Sequence, residues 1–291
     1  MNMVPSPAIV TRFAPSPTGR LHLGHAFSAL AAHDLARDRG GQFLLRIEDI
    51  DAGRSREAFV EGIVEDLRWL GIGHDAPPVR QSARLDAYGA SLGAIGAAGL
   101  LYPCFCTRAD IAAAASAPHG AQGAVYPGTC RALDPAERER RMAREPHAWR
   151  LAMDKAVAFV GALEWHDAKA GSVRADPLPF GDVVLARKDA PASYHLAVVV
   201  DDAWQRVSDV VRGADLFEAT HIHRLLQALL GLATPRYHHH ALLADAAGRR
   251  LAKRDGAPTI AALREGGADP AALVADLRAG RMPVGLIVAK A

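Results

Sequence analysis

Arg12-Phe-Ala-Pro-Ser-Pro-Thr-Gly-Arg-Leu-His-Leu-Gly-His25 is the stretch whose reading decides the fold. A short apolar run, Ala8 to Phe13, enters it. The Pro-Ser-Pro-Thr-Gly cluster at 15–19 then reads as a turn, since proline presets φ and glycine tolerates what other residues do not. From His25 to Arg37 small and apolar residues recur at helical spacing. Gly40-Gly41 ends that helix, and Gln42 to Ile47 reads as a buried strand. Strand, glycine-containing turn, helix and strand open a βαβ unit, so the chain is expected to be α/β with a parallel sheet.

At the turn-to-helix junction, His22 and His25 bracket Leu-Gly. A helix N-terminus presents unpaired backbone N–H groups and the positive end of a dipole, which suits polyphosphate. Gly19 and Gly24 remove side chains where a nucleotide would approach the backbone. Two imidazoles there can donate hydrogen bonds to a phosphate whose charge grows in the transition state. Far downstream, Asp245 to Arg254 carries Arg249, Arg250, Lys253 and Arg254 just after Gly248. A basic loop of this kind can close over a triphosphate and neutralise charge passed to departing pyrophosphate.

The remaining pattern is consistent with one large or two smaller domains in 291 residues. Ser55 to Leu70 reads as an amphipathic helix with Phe59, Ile63, Leu67 and Leu70 on one stripe and Ser55 as its cap. Tyr194 to Val200 reads as another buried strand, and His221 to Leu232 as a helix. Between Thr107 and about Glu145 the character shifts to short Ala, Gly and Pro runs and then to the charged Glu137–Arg144, whose basic stretch Arg138 to Arg144 reads as a solvated helix face, with contact to phosphates the alternative. Lys and Arg number 34 against 32 Asp and Glu, so net charge does not announce a nucleic-acid partner; positive groups would have to cluster on one face. No apolar run reaches the eighteen or so residues of a membrane span, and Met1 to Val10 lacks the pattern of a secretory signal. Three cysteines, an odd count, give no disulfide framework and point to a reduced cytoplasm.

Together these motifs resemble the catalytic domain of class I aminoacyl-tRNA synthetases, specifically the glutamyl and glutaminyl group. His22-Leu-Gly-His25 resembles the HIGH signature. Arg12 to Gly19, Arg46-Ile-Glu-Asp49, Asp182 to Arg187, Tyr194 to Asp202 and Val207 to Asp215 are similar to that group in order and spacing. Arg250-Leu-Ala-Lys-Arg254 stands where the KMSKS loop does. Arg250 takes the first lysine position, Lys253 the second, and Ala252 and Arg254 the two serine positions. The resemblance implies a Rossmann-type fold using ATP with Mg2+, and catalytic roles for His22, His25 and Lys253. It implies ATP contacts from His22, Gly24, His25, Arg250 and Lys253, and a glutamate pocket lined by Arg12, Ala14, Ser16, Glu48, Tyr194 and Arg212. Arginine offers a two-pronged match to a γ-carboxylate, and Glu48 can accept from the substrate ammonium. Glutamine competes for these motifs; the pair of arginines favours glutamate.

All three cysteines fall in one window, Cys104-Phe-Cys106 and Tyr126-Pro-Gly-Thr-Cys130. Zinc wants four ligands and only three are thiols. The resemblance suggests Tyr126 as the fourth, as in small glutamyl-queuosine enzymes, with His119 the conventional alternative; such a site is structural. The expected division is 8–103 and 182–245 for the two halves of the catalytic domain, 104–181 for an inserted zinc-bearing subdomain, and 246–291 for the KMSKS-like loop and a short helical tail. That tail is too short for an anticodon-binding domain. A truncated member of this group is expected to attach L-glutamate to the queuosine base of tRNA(Asp). A shortened glutamyl-tRNA synthetase acting on the 3′ end and a non-catalytic RNA-binding paralogue are the alternatives. A monomer is expected.

Overall fold

The computed structural model describes residues 9–107, 109–111, 125–245, 258–281 and 286–288. The elements run β1 (Val10–Phe13), α1 (Leu23–Asp38), β2 (Gln42–Ile47), α2 (Glu57–Trp69), β3 (Val79–Arg80), α3 (Leu85–Ala97) and β4 (Leu101–Cys104). They continue through α4 (Pro135–Met142), β5 (Ala148–Leu151), α5 (Met153–Val160), β6 (Glu164–Asp167), β7 (Gly171–Arg174), β8 (Val184–Ala186), α6 (Tyr194–Trp204) and β9 (Asp209–Gly213). Last come α7 (Ala219–Leu229), β10 (Arg236–His240), β11 (Leu243–Asp245), α8 (Ile260–Glu265), α9 (Pro270–Arg278) and β12 (Leu286–Val288).

The opening βαβ unit is present: β1 pairs parallel with β2, and β2 with β3. A second sheet runs β7-β6-β10-β9, with β6, β10 and β9 parallel. The two sheets meet edge to edge at β1 and β9. There the Ser208 N–H donates to Val10 O at 3.0 Å, and Ser208 Oγ accepts from Val10 N at 2.9 Å. Chain order reverses at this seam, and in open α/β sheets the crevice beyond the carboxyl ends of such strands is where ligands bind. Helix α1 packs on the seam through Ala26, Ala29, Ala32 and Ala36, all buried, against Phe13, Leu45 and Ile47. Small residues let the helix lie close to the sheet, which accounts for the alanine-rich sequence. The insertion expected at 104–181 is not set apart by hydrogen bonding. Its β5 joins β4 and β8 in an antiparallel sheet, while its β6 and β7 extend the sheet of β9 and β10.

Two expectations need correction. Tyr194–Val200 is not a strand but the start of α6, capped by Ser193, whose Oγ accepts from Leu196 N. Leu196 through Asp202 are all buried, and an apolar run buried on every side has no period from which helix and strand can be told apart. Ser55 is not the cap of α2 either. Arg56 is the N-cap, without a side-chain cap bond, since a guanidinium has no acceptor; its N–H donates to Pro17 O and ties the helix entry to the 15–19 loop. Helix α4 buries no residue, and its arginines pair locally, Arg140 with Glu137 and Arg141 with Glu145, a solvated face. Among the described residues no helix is long and apolar enough to cross a membrane.

Candidate active site

The carboxyl ends of β1, β2 and β9 and the first turn of α6 surround a cavity of about 440 Å³. Arg12, Ala14, Ser16, Glu48, Tyr194 and Arg212 all line it, with His25 at its edge. Residues up to 200 positions apart thus converge because three parallel strands end at one level. The 15–19 loop is held there by the Glu48 N–H donating to Pro15 O at 3.0 Å. A larger cavity, about 690 Å³ between α2 and α9, is lined by apolar residues and by Arg278, which is paired with Asp34; it has no convergent chemistry.

The two arginines behave differently. Arg12 is clamped by Asp202, with Nε to Oδ1 at 2.9 Å and Nη2 to Oδ2 at 3.2 Å. Asp202 Oδ1 also accepts from Arg46 Nη1 at 2.8 Å. Burial pushes the Asp202 carboxyl up, but Arg12 and Arg46 outweigh it and hold it below the usual carboxylate range. Glu48 lies 3.5 Å from Arg46, yet burial dominates and raises its carboxyl. The Arg46-Ile-Glu-Asp49 motif is therefore the hub of a buried ion network. Its last member, Asp49, accepts from Ser82 N at 2.8 Å and Oγ at 2.7 Å.

Arg212 is 5 % exposed and has no ion pair with a carboxylate among the described residues. Its guanidinium donates to His239 Nε2, His223 Nδ1, Leu216 O and Thr220 Oγ1. Motifs along the chain single out none of His223, His239 and Asp167. The strand register supplies the missing signal: His239 is the direct cross-strand partner of Arg212.

At the start of α1 the two histidines form a reciprocal cap. His22 is the N-cap, and its Nδ1 accepts from Gly24 N at 3.1 Å; His25 Nδ1 accepts from His22 N at 3.2 Å. Each ring therefore carries its proton on Nε2. The ring centroids lie 3.8 Å apart. Gly24 is needed for the ring itself, since a Cβ there would stand 3.0 Å from His22 Cε1. The Ile260 N–H donates to Leu21 O at 2.9 Å, and Thr259 bridges His22, which brings the chain just C-terminal to the basic stretch back beside these histidines. Arg250, Ala252, Lys253 and His119 lie outside the described residues.

Cys104, Cys106 and Cys130 place their sulfurs within 4.8 Å of one another, an arrangement that could hold a metal ion. Cys106 and Cys130 Sγ are 3.4 Å apart, too far for a disulfide. Tyr126 Oη stands 3.7 Å from Cys106 Sγ and accepts from Cys130 N at 2.7 Å. The Phe105 N–H donates to Cys130 Sγ at 3.3 Å. Burial pushes the Cys106 thiol up to about 11. At Cys130 burial acts in the same sense, but hydrogen bonds from Tyr126 and Phe105 outweigh it and lower the thiol. The three sulfurs are thus a group that could hold a metal ion, with the Tyr126 phenol oxygen beside them.

Residues 8–285 match the family described as tRNA synthetases class I (E and Q), catalytic domain. The chain belongs to that family. It is 51 % identical to the glutamyl-Q tRNA(Asp) synthetase of Rhodobacter capsulatus over 90 % of this chain and 97 % of that protein. It is 45 % identical to the protein of the same name from Symbiobacterium thermophilum, over 91 % and 84 %. Among solved structures it is similar to the glutamate-tRNA synthetase of Elizabethkingia anophelis, with a TM-score of 0.79 and 28 % identity. That match covers 92 % of this chain but 61 % of the other, so the chain spans about three fifths of the larger synthetase.

Proposed function

We propose that this synthetase-family protein activates L-glutamate with ATP and transfers it to the queuosine base of tRNA(Asp). The observation that carries the reading is the cavity where the β1 and β9 sheets meet, which combines Arg212, a guanidinium with no carboxylate ion pair among the described residues, with Glu48 and the capped histidine pair. The names of the relatives from R. capsulatus and S. thermophilum support the choice of substrates.

In this reading Arg212 takes the γ-carboxylate and Glu48 the ammonium. Arg12, Ala14, Ser16 and Tyr194 complete the pocket. A buried guanidinium without a counter-ion favours a carboxylate over a neutral amide. A glutamate α-carboxylate oxygen attacks the α-phosphorus of ATP, the bond to the bridging oxygen breaks, and pyrophosphate leaves. The Nε2–H groups of His22 and His25 donate to phosphate oxygens as charge builds, joined by Arg250 and Lys253, while Gly24, without a side chain, lets the nucleotide approach the backbone. Mg2+ accompanies ATP, held by phosphates and water. A hydroxyl of the modified base then attacks the adenylate carbonyl and AMP leaves, so no covalent enzyme nucleophile is needed. Cys104, Cys106, Cys130 and Tyr126 would hold Zn2+, which pins the surrounding loops and takes no part in the chemistry. We propose a monomer.

The test is transfer of labelled glutamate, with ATP, to two tRNA pools, one carrying queuosine and one lacking it. Label confined to the queuosine pool and retained after removal of the 3′ end is expected. Equal labelling of both pools, lost with the 3′ end, would instead identify a shortened ordinary synthetase. The absence of both label and pyrophosphate exchange would leave an RNA-binding paralogue.

A further inference from the structure

Among the described residues, Arg212 donates hydrogen bonds only to groups that carry no charge. A guanidinium only donates, so the ring nitrogens it meets must accept. His239 Nε2 accepts from Nε and His223 Nδ1 from Nη1, both at 3.1 Å. Nη2 donates to Thr220 Oγ1 at 2.6 Å and Leu216 O at 3.1 Å. Each histidine tautomer is forced onward from there. His239 carries its proton on Nδ1 and donates to Asp167 Oδ2 at 2.8 Å. His223 carries its proton on Nε2 and donates to His195 Nδ1 at 3.1 Å.

Burial, reinforced by the Arg212 charge, pushes His239 down to about 4 and His223 well below its ordinary value. Neither ring therefore adds positive charge. The frame is rigid at both ends. His239 is the register partner of Arg212 in the sheet. Asp167 also accepts from Lys169 N and Ala170 N, both at 2.9 Å. The His223 ring packs edge-on against Tyr194 at 5.5 Å, so one side chain supports two of the residues lining the cavity.

We propose that His223, His239 and Asp167 are positioning residues that hold Arg212 in place with its charge uncompensated, and thereby set the preference for a carboxylate over a carboxamide side chain. The inference rests on Arg212 as the partner of the γ-carboxylate. Had a carboxylate held Arg212 instead, its charge would already be matched and the site would favour glutamate over glutamine far less. A flipped His239 tautomer would set one N–H against another at Arg212 Nε.

The experiment is ATP–pyrophosphate exchange by the full chain, with KM and kcat for glutamate and glutamine and KM for ATP. Asp167→Asn can donate to His239 and drive its proton to Nε2. His223→Leu and His239→Leu remove the acceptors. His223→Asn and His239→Gln keep an acceptor at the atom that meets Arg212. Asp167→Asn and the leucine variants should raise the glutamate KM about 10- to 100-fold, the worth of one charge-assisted hydrogen bond, and narrow glutamate over glutamine discrimination by about tenfold. The KM for ATP should stay within about threefold, and the Asn and Gln variants should recover most of the loss. A glutamate KM unchanged in all five variants, or a loss shared equally by ATP, overturns the positioning role. Arg212→Ala separates the two layers. If it leaves the glutamate KM unchanged, the reading of Arg212 itself falls. If it raises KM while the histidine and Asp167 variants do not, only this inference falls. Asp167→Asn, nearly isosteric, carries the test if a leucine variant does not fold.

Discussion

Replacing Asp202 by asparagine should damage both stability and glutamate binding, because one buried carboxylate is paired with two buried guanidiniums. Asp202 accepts from Arg12 through both oxygens and from Arg46 through Oδ1. Arg12 is 5 % exposed and Arg46 fully buried. Arg46 would retain Glu48 at 3.5 Å and Asp201 at 3.9 Å, but Arg12 would lose its paired carboxylate and keep only neutral acceptors, the asparagine amide oxygen in place of Oδ1 and Val211 O at 3.3 Å. Leaving one partner of a buried pair unmatched costs about 3–5 kcal/mol. At about 2–3 °C per kcal/mol for a chain of this size, Tm should fall by about 6–15 °C. The pH dependence has a definite sign. The depressed Asp202 carboxyl contributes stability that is present above the ordinary carboxylate range and lost as pH falls through its lowered value. Wild type and Asp202→Asn should therefore differ by a constant margin from neutral pH to weak acid and converge only in strong acid. Calorimetry across that range, with KM for glutamate measured in parallel, checks both. A Tm change under about 3 °C at neutral pH would refute the coupling, because a pair worth so little is not bearing a buried charge.

Asp66 offers the opposite sign. Burial pushes its carboxyl up to about 6, with Arg264 opposing, and neither oxygen is hydrogen-bonded. Its contribution to stability is intact below the unfolded value near 3.8 and lost as pH rises through 6. Asp66→Asn should therefore stabilise the protein at pH 7.5, by at most about 3 kcal/mol from about two pKa units, and raise Tm, with the gain vanishing near pH 4; a destabilised variant at pH 7.5 would count against it. For the cysteine cluster, elemental analysis of purified protein should find one zinc per chain. Cys130→Ser should abolish it and lower Tm while ATP–pyrophosphate exchange at reduced temperature survives, whereas full metal content in that variant would remove Cys130 from the ligand set.

Much of the protein was legible in its sequence, because the features concerned are local. A proline-glycine turn, an alanine-rich helix and a compact strand announce β1–α1–β2 through chain geometry alone, and the observed bounds of β2 coincide with Gln42–Ile47. The six residues assigned to an amino-acid pocket by resemblance do line one cavity. Tyr194–Val200 was misread because a wholly buried apolar run carries no periodicity, so only the packing of α6 against its neighbours decides that it is a helix. Tertiary structure alone also separated the two arginines. Nothing near Arg12 or Arg212 in sequence reveals that one faces a carboxylate 190 positions away while the other faces imidazoles. Charge compensation in a buried site depends on which strands end side by side. The parallel register of β9 against β10 sets His239 beside Arg212, and the meeting of β1 and β9 brings both arginines to one cavity; neither can be read from spacing along the chain.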